Sequence, residues 1–155
     1  MKIITVSGAH SGVGKTRVVE GLLKGLKGWS ALKVTVLHNG ACPTHRDCGA
    51  CDAMESKFSI VDDEARLGEF GKDTGRFKAA GAKNVLWLRA RSDGLRAGLK
   101  KAMSGFKDTN GIVIEGTSVL RHIKPDLAIL VKNRNSNLKP SAKEALKKVD
   151  LVLTI

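Results

Sequence analysis

A glycine-rich segment that ends in a Lys-Thr pair, residues 9–16 (AHSGVGKT), has the composition and spacing of a phosphate-binding loop. Gly12 and Gly14 allow the backbone to turn so that successive N–H groups point inward at phosphate oxygens. Lys15 can reach the β- and γ-phosphates of a nucleotide, and the Thr16 hydroxyl can ligate Mg²⁺. The alternative, a glycine-rich turn that carries Lys-Thr by chance, is disfavoured by the strand-like run before it and the helical pattern after it. The predicted phosphate-binding residues are Ser11, Gly12, Val13, Gly14, Lys15 and Thr16.

A phosphate-loop protein also needs an acidic group that holds Mg²⁺ directly or through water. Glu115 is the strongest candidate, because it follows the apolar run 112–114 and therefore ends a predicted strand. In a parallel sheet that end of the strand faces the ligand crevice. An ordinary strand-terminal carboxylate is the alternative, and Asp62, Asp63 and Asp73 are weaker candidates because their strand context is unclear. The predicted catalytic set is Lys15, Thr16 and Glu115, with Thr16 and Glu115 as the Mg²⁺ ligands.

All three cysteines lie in one short segment that also contains a histidine, in the pattern C-x2-H-x2-C-x2-C. Four soft or borderline ligands at this density can close a tetrahedral Zn²⁺ site, and three thiolates can instead hold an iron–sulfur cluster. Reduced thiols without a ligand are the remaining alternative, since an odd number of cysteines disfavours a disulfide framework. The predicted metal ligands in this segment are Cys42, His45, Cys48 and Cys51.

Apolar runs alternate with amphipathic segments along the whole chain, and these elements must position the candidate residues. Strands are predicted at 2–7, 32–38, 84–89, 111–115, 126–132 and 150–155, and helices at 15–27, 73–80, 93–105 and 141–148, the last capped by Pro140-Ser141. Continuous apolar strands separated by helices predict an α/β fold with a single doubly wound, mostly parallel sheet and helices on both faces. We therefore expect one phosphate-loop domain over residues 1–155, with a Cys/His-bearing insert at about 40–56.

The composition excludes several classes of protein. The chain has 155 residues, of which 42% are hydrophobic, and this composition excludes a disordered or collagen-like protein. No apolar run is long enough to cross a bilayer and the N-terminus lacks the pattern of a signal peptide, so we expect a cytoplasmic protein. The net charge of +12 predicts an anionic partner. Dedicated nucleic-acid binding is disfavoured, because no basic stretch is interleaved with aromatic residues.

Three segments together resemble a known family. They are the loop 9–16, the segment 71–82 (GKDTGRFKAAGA) and the strand end 114–116 (IEG), which occur in the same order in the MobB family, the molybdopterin-guanine dinucleotide biosynthesis protein B group of GTP-binding proteins. The resemblance covers roughly residues 1–120, and the segment 71–82 is its most discriminating part. The chain differs from the pattern at His10, which replaces the signature lysine of the metal-insertion relatives, and at 37–39 (LHN), where the family carries a Lys-His pair.

The resemblance implies a dimerising phosphate-loop protein that binds GTP with Mg²⁺, hydrolyses it slowly and acts in molybdenum cofactor biosynthesis, with an anionic cofactor or acceptor protein as partner. The segment 132–135 (KNRN) lies where related proteins recognise the base, but it is not a clean Asn-Lys-x-Asp, so ATP stays open. A metal-centre maturation ATPase is the alternative, in which the cysteines bridge a dimer. A kinase or ligase with a second anionic substrate and a non-enzymatic nucleotide sensor also stay open. Of the other histidines, His10 and His38 could contact nucleotide, and His122 is predicted at the surface.

Overall fold

The computed structural model describes residues 1–37, 56–62, 65, 67, 72–135 and 137–155, and every structural statement below refers to these residues. The strands are β1 (Lys2–Gly8), β2 (Ser30–Leu37), β3 (Phe58–Val61), β4 (Val85–Arg91), β5 (Gly111–Glu115), β6 (Leu127–Lys132) and β7 (Leu151–Thr154). The helices are α1 (Lys15–Gly25), α2 (Lys72–Ala79), α3 (Leu95–Gly105) and α4 (Pro140–Leu146), with a short 3-10 helix at Ser118–Arg121.

The seven strands form one sheet in the order β3-β4-β2-β5-β1-β6-β7. Every neighbouring pair is parallel except β3 and β4, which are antiparallel. The first strand of the chain lies between β5 and β6, with Ile4 opposite Val113 on one side and Leu127 on the other. The order of strands along the chain reverses at β1, and such a reversal opens a ligand crevice at the carboxyl ends of the strands.

Helices cover both faces of the sheet. On one face, buried side chains of α1 and α2 such as Leu23 and Phe77 pack with Val113 of β5. On the opposite face, Leu99 of α3 packs with Ile114 of β5, and α4 packs nearby over β6. Strands that are buried on both faces are mostly apolar, which explains the apolar runs of the central strands. The predicted doubly wound, mostly parallel α/β fold is confirmed.

The strand β3 was missed in the sequence, and the predicted cap of α4 was wrong. No strand was predicted at the residues of β3, but they pair antiparallel with β4, with Ile60 opposite Leu88. Helix α4 is not capped by Ser141, because Pro140 occupies its first turn and Lys139 is the N-cap residue without a side-chain cap bond. Proline suits the first turn of a helix, since the missing N–H has no partner there in any case.

Within the described part of the chain, no helix has both the length and the apolar character needed to cross a membrane.

Candidate functional site

The predicted phosphate loop connects the end of β1 to the start of α1. Gly12 and Gly14 have φ values of +78° and +100°, in the left-handed region that a side chain would strain. Gly14 is the N-cap residue of α1 and offers no side-chain cap bond, so the first amides of the helix are not capped by that residue and can donate to an anion. The N–H of Ala9 donates to the carbonyl oxygen of Val131 at 2.9 Å, which fixes the start of the loop to β6. The loop therefore has the form of an anion-binding site.

Lys15 extends back along the loop, and its Nζ donates to the carbonyl oxygen of His10 at 3.4 Å. Its aliphatic stem needs the absence of a side chain at Gly8, where a Cβ would lie 2.8 Å from both Cγ and Cδ of Lys15 and 2.7 Å from Cγ1 of Val13. Burial lowers the pKa of Lys15, and the nearby carboxylate of Glu115 partly offsets this effect. Gly8 was not among the predicted site residues, because its role depends on packing that no motif records.

Thr16 and Glu115 meet in front of the loop, where the Thr16 hydroxyl donates to Oε2 of Glu115 at 3.2 Å. The register of β5 against β1 places Glu115 opposite Val6, three positions before the loop begins at Ala9. Only 6% of Glu115 is exposed, and burial raises its pKa, while Lys15 and Lys33 act in the opposite direction. The structure thus brings together the three residues of the predicted catalytic set.

Thr117 joins the end of β5 to the end of β1. Its hydroxyl accepts a hydrogen bond from the N–H of Gly8 at 3.1 Å and lies 3.3 Å from the Gly8 carbonyl oxygen, to which it can donate. The N–H of Gly116 donates to the carbonyl oxygen of Val6 at 3.1 Å. These bonds hold Glu115 at a fixed distance from the phosphate loop. Thr117 follows Glu115 closely in the sequence, but its contact with Gly8 could not be predicted without the strand order.

A second acidic residue, Asp73 in the first turn of α2, lies at the same place. Its Oδ2 atom lies 2.5 Å from Nζ of Lys33 on β2, and its carboxylate also interacts with the Thr16 hydroxyl. Burial alone would raise the pKa of Asp73, but the hydrogen bonds from Lys33 and Thr16 outweigh it and lower that pKa. Asp73 was a weaker candidate in the sequence, and the structure places it in the site.

Lys33 was missed in the sequence although it interrupts an apolar strand, which is the signal that could have identified it. It lies opposite Glu115 in the pairing of β2 with β5, and opposite Trp87 in the pairing with β4. Its Nζ is 6.0 Å from the centroid of the Trp87 ring, within range of a cation–π interaction. A partly buried lysine is stabilised by such partners, and Asp73 supplies the charged one.

The remaining predicted site residues that the structure describes lie in three places. Ser11 and Val13 lie in the phosphate loop, whereas Asp62 is exposed after β3 at the edge of the sheet. The segment 133–135 is exposed after β6, beside β1. The cysteine segment with Cys42, His45, Cys48 and Cys51 lies outside the described residues, as do His38 and Asp63. Among the residues that are described, no group of three or more His, Cys, Asp or Glu side chains could hold a metal ion.

A doubly wound sheet with a glycine-rich loop between its central strand and the first helix is a fold like that of the phosphate-loop NTPases. No family model matches the chain, and no curated protein or solved structure matches it.

Proposed function

We propose that this chain is a Mg²⁺-dependent phosphate-loop GTPase that hydrolyses its nucleotide slowly. The observation that carries the proposal is the 3.2 Å contact of Thr16 with Glu115, directly beside Lys15 and the turn formed by Gly12 and Gly14. The glycine-rich loop, the ammonium group of Lys15 and the side-chain oxygens of Thr16 and Glu115 thus lie at one crevice, which supports binding of phosphate with a metal ion. A glycine-rich turn with a purely structural role has no need of a buried carboxylate at its mouth.

The residues of the crevice fit a magnesium ion. Mg²⁺ prefers hard oxygen ligands, and Thr16, Glu115 and Asp73 supply a hydroxyl and two carboxylates. The Thr16 hydroxyl has a single proton, so it can donate to only one of the two carboxylates at a time. A cation between these groups would reduce the electrostatic repulsion between the carboxylates of Glu115 and Asp73. Bound there with the phosphates, Mg²⁺ would neutralise charge on the transferring phosphoryl group.

The chain's own residues supply the rest of the chemistry. The amides at the start of α1 and the Lys15 ammonium stabilise negative charge on the β- and γ-phosphates. Lys33 holds Asp73 toward Thr16, which positions that carboxylate for the metal. Among the described residues around the crevice, none is an evident base for the attacking water, which supports a low intrinsic rate or activation by a partner.

The preference for GTP and the biological role follow from the resemblance to the MobB family. Asp73, in the discriminating segment 71–82, and Glu115, in the segment 114–116, both interact with Thr16 of the loop, so side chains from the three segments of the resemblance meet at one crevice. We therefore propose a cytoplasmic, homodimeric protein that acts in molybdenum cofactor biosynthesis. Its phosphate loop would bind GTP in preference to ATP.

The test is a titration with fluorescent GTP and ATP analogues, with and without Mg²⁺, followed by an assay of phosphate release. We expect Mg²⁺-dependent binding that favours GTP, weakened roughly 30-fold or more in Lys15→Ala because a cation that faces the phosphates is lost. Lys24→Ala is the matched control, since this lysine lies on the same helix away from the loop. Equal nucleotide binding by wild type and Lys15→Ala would overturn the proposal, and a preference for ATP would overturn the choice of base.

A further inference from the structure

A groove runs along α3 on the face of the sheet opposite α1 and α2, and its other wall is the segment 118–125. We call it the α3 groove. It consists of two adjoining concavities of about 510 and 580 Å³, which share His122 and Ile123. Its floor is apolar, formed by Ile3, Leu99, Met103 and Ile123. The nucleotide crevice does not use this surface.

The rim of the α3 groove is strongly basic. Its cationic and histidine side chains are Arg96, Lys100, Arg121, His122, Lys124 and Lys148, and Asp93 is the one acidic residue among those that line it. Asp93 forms an ion pair with Lys57 at 3.4 Å, and Arg121 pairs with Glu144 at 2.7 Å. Within the described part of the chain, Arg96, Lys100 and Lys124 have no ion-pair partner. The groove therefore presents unpaired positive charge around an apolar floor.

The strand order decides how a polypeptide could bind there. The floor residue Ile3 belongs to β1, which is hydrogen-bonded on one side to β5 and on the other to β6. Among the described strands, none has a free edge at Ile3, so the groove offers a peptide no strand to pair with there. An α-helix satisfies its own backbone hydrogen bonds and can bind in a groove through side chains alone. A helix with an apolar face for the floor and acidic flanks for the rim matches both properties of the surface.

We propose that the α3 groove is a docking site for an acidic amphipathic helix of a partner protein. Nucleic acid is a poorer match, because no Phe, Tyr or Trp is among the described residues that line the groove, and His122 is the one ring there on which a base could stack. A membrane surface is a poorer match as well, because the apolar residues lie on the floor of a concave surface between charged walls. The proposal rests on the geometry of this face and does not depend on the nucleotide site.

The probe for this test is a fluorescent helical peptide of about 18 residues, or roughly five turns, with leucine on one face and glutamate on the other. We expect saturable binding that weakens with added salt, and no binding of a sister peptide in which lysine replaces glutamate. The double variant Arg96→Glu/Lys100→Glu reverses charges one turn apart on α3 and should bind the acidic peptide at least about tenfold more weakly. The variant Lys143→Glu/Lys147→Glu makes the same change at the same spacing outside the groove and should bind normally.

Amide exchange with and without the acidic peptide should show protection in 96–103 and 118–125, and Lys15→Ala should keep full binding. Far-ultraviolet circular dichroism establishes that each variant is folded. Absence of binding, equal binding of both peptides, or full binding by Arg96→Glu/Lys100→Glu would each overturn the proposal. Tighter binding of a DNA oligonucleotide or of anionic vesicles through Arg96 and Lys100 would overturn the choice of occupant.

Discussion

The hydroxyl of Thr16 lies 3.2 Å from Oε2 of Glu115, although 99 positions separate the two residues in the chain. Thr16 belongs to the first turn of α1, and Glu115 is the last residue of β5. The contact exists because β5 lies beside β1 and ends level with the phosphate loop. One pair of atoms thus joins the two motifs from which the proposed nucleotide site is built.

Replacing Glu115 by Gln should stabilise the metal-free protein at neutral pH. Burial raises the pKa of Glu115, so this carboxyl favours folding while it is protonated and opposes folding as pH rises through its folded pKa. The amide removes that effect, and we expect a gain of about 1 kcal/mol at pH 7 that disappears toward pH 4. Urea unfolding in the presence of EDTA at both pH values measures the difference.

The same Glu115→Gln variant should lose most of the Mg²⁺ dependence of nucleotide binding, because an amide is a poorer metal ligand than a carboxylate. Asp108 is an exposed acid in the loop before β5, at the opposite end of that strand from Glu115. The control variant Asp108→Asn should change neither property. A variant Glu115→Gln that is less stable than wild type at pH 7 would contradict the account of its burial.

Removing Lys33 should raise the pH at which the protein unfolds in acid. Lys33 and Thr16 overcome burial and lower the pKa of Asp73, so this carboxylate stabilises the fold above its unfolded pKa and loses that effect as pH falls through its folded pKa. In Lys33→Met the pKa of Asp73 should rise and the loss should begin at higher pH. Acid unfolding monitored by tryptophan fluorescence gives the midpoint pH of unfolding for wild type and Lys33→Met.

A double-mutant cycle with Lys33→Met and Asp73→Asn isolates the pair itself. Both side chains are partly exposed, so we expect a coupling of only about 0.5–1 kcal/mol. Additive effects of the two changes would show that the short contact contributes nothing in solution. Asp73→Asn should also weaken Mg²⁺-dependent nucleotide binding, whereas a structural ion pair alone would leave that binding unchanged.

Gly8→Ala should damage the nucleotide site through Lys15. The added Cβ would lie 2.8 Å from the stem of Lys15 and 2.7 Å from Val13, so one of these side chains has to move. We expect a loss of about 1–3 kcal/mol of stability and weaker nucleotide binding. Gly21→Ala in α1 is the matched control, because its Cβ would meet no atom within 4 Å, and it should stabilise the helix by about 0.5–1 kcal/mol. Unimpaired nucleotide binding by Gly8→Ala would contradict the packing argument.

The cysteine segment should bind metal, and metal analysis with an absorption spectrum on protein purified without oxygen tests this. About one Zn²⁺ per chain and no visible absorption would indicate a structural or dimer-holding site. Iron with sulfide would favour the metal-centre maturation ATPase over the proposed GTPase role. The triple variant Cys42→Ser/Cys48→Ser/Cys51→Ser and the variant His45→Ala should lose the metal, whereas His122→Ala should retain it. Wild-type protein without metal would contradict the prediction.

The phosphate loop and Glu115 could be predicted from the sequence, because each depends on residues that are close together in the chain. The loop is a glycine pattern before a helix, and Glu115 is an acid after an apolar run. Lys33 and Asp73 could not be paired in this way. Their contact depends on which strand lies beside β5 and on where α2 begins above the sheet. The strand β3 was missed for a related reason, since four residues with antiparallel pairing give too short a pattern to separate from a loop.

The central position of β1 also has a consequence for the order in which the protein can be made. The phosphate loop leaves the ribosome before both strands that flank β1, which follow more than a hundred residues later. Parallel pairing over that distance has a high entropic cost until the intervening chain is present and folded. A nascent chain that ends before Gly111 lacks both neighbours of β1 and the carboxylate of Glu115. The candidate nucleotide site is therefore complete only after Glu115 has been synthesised.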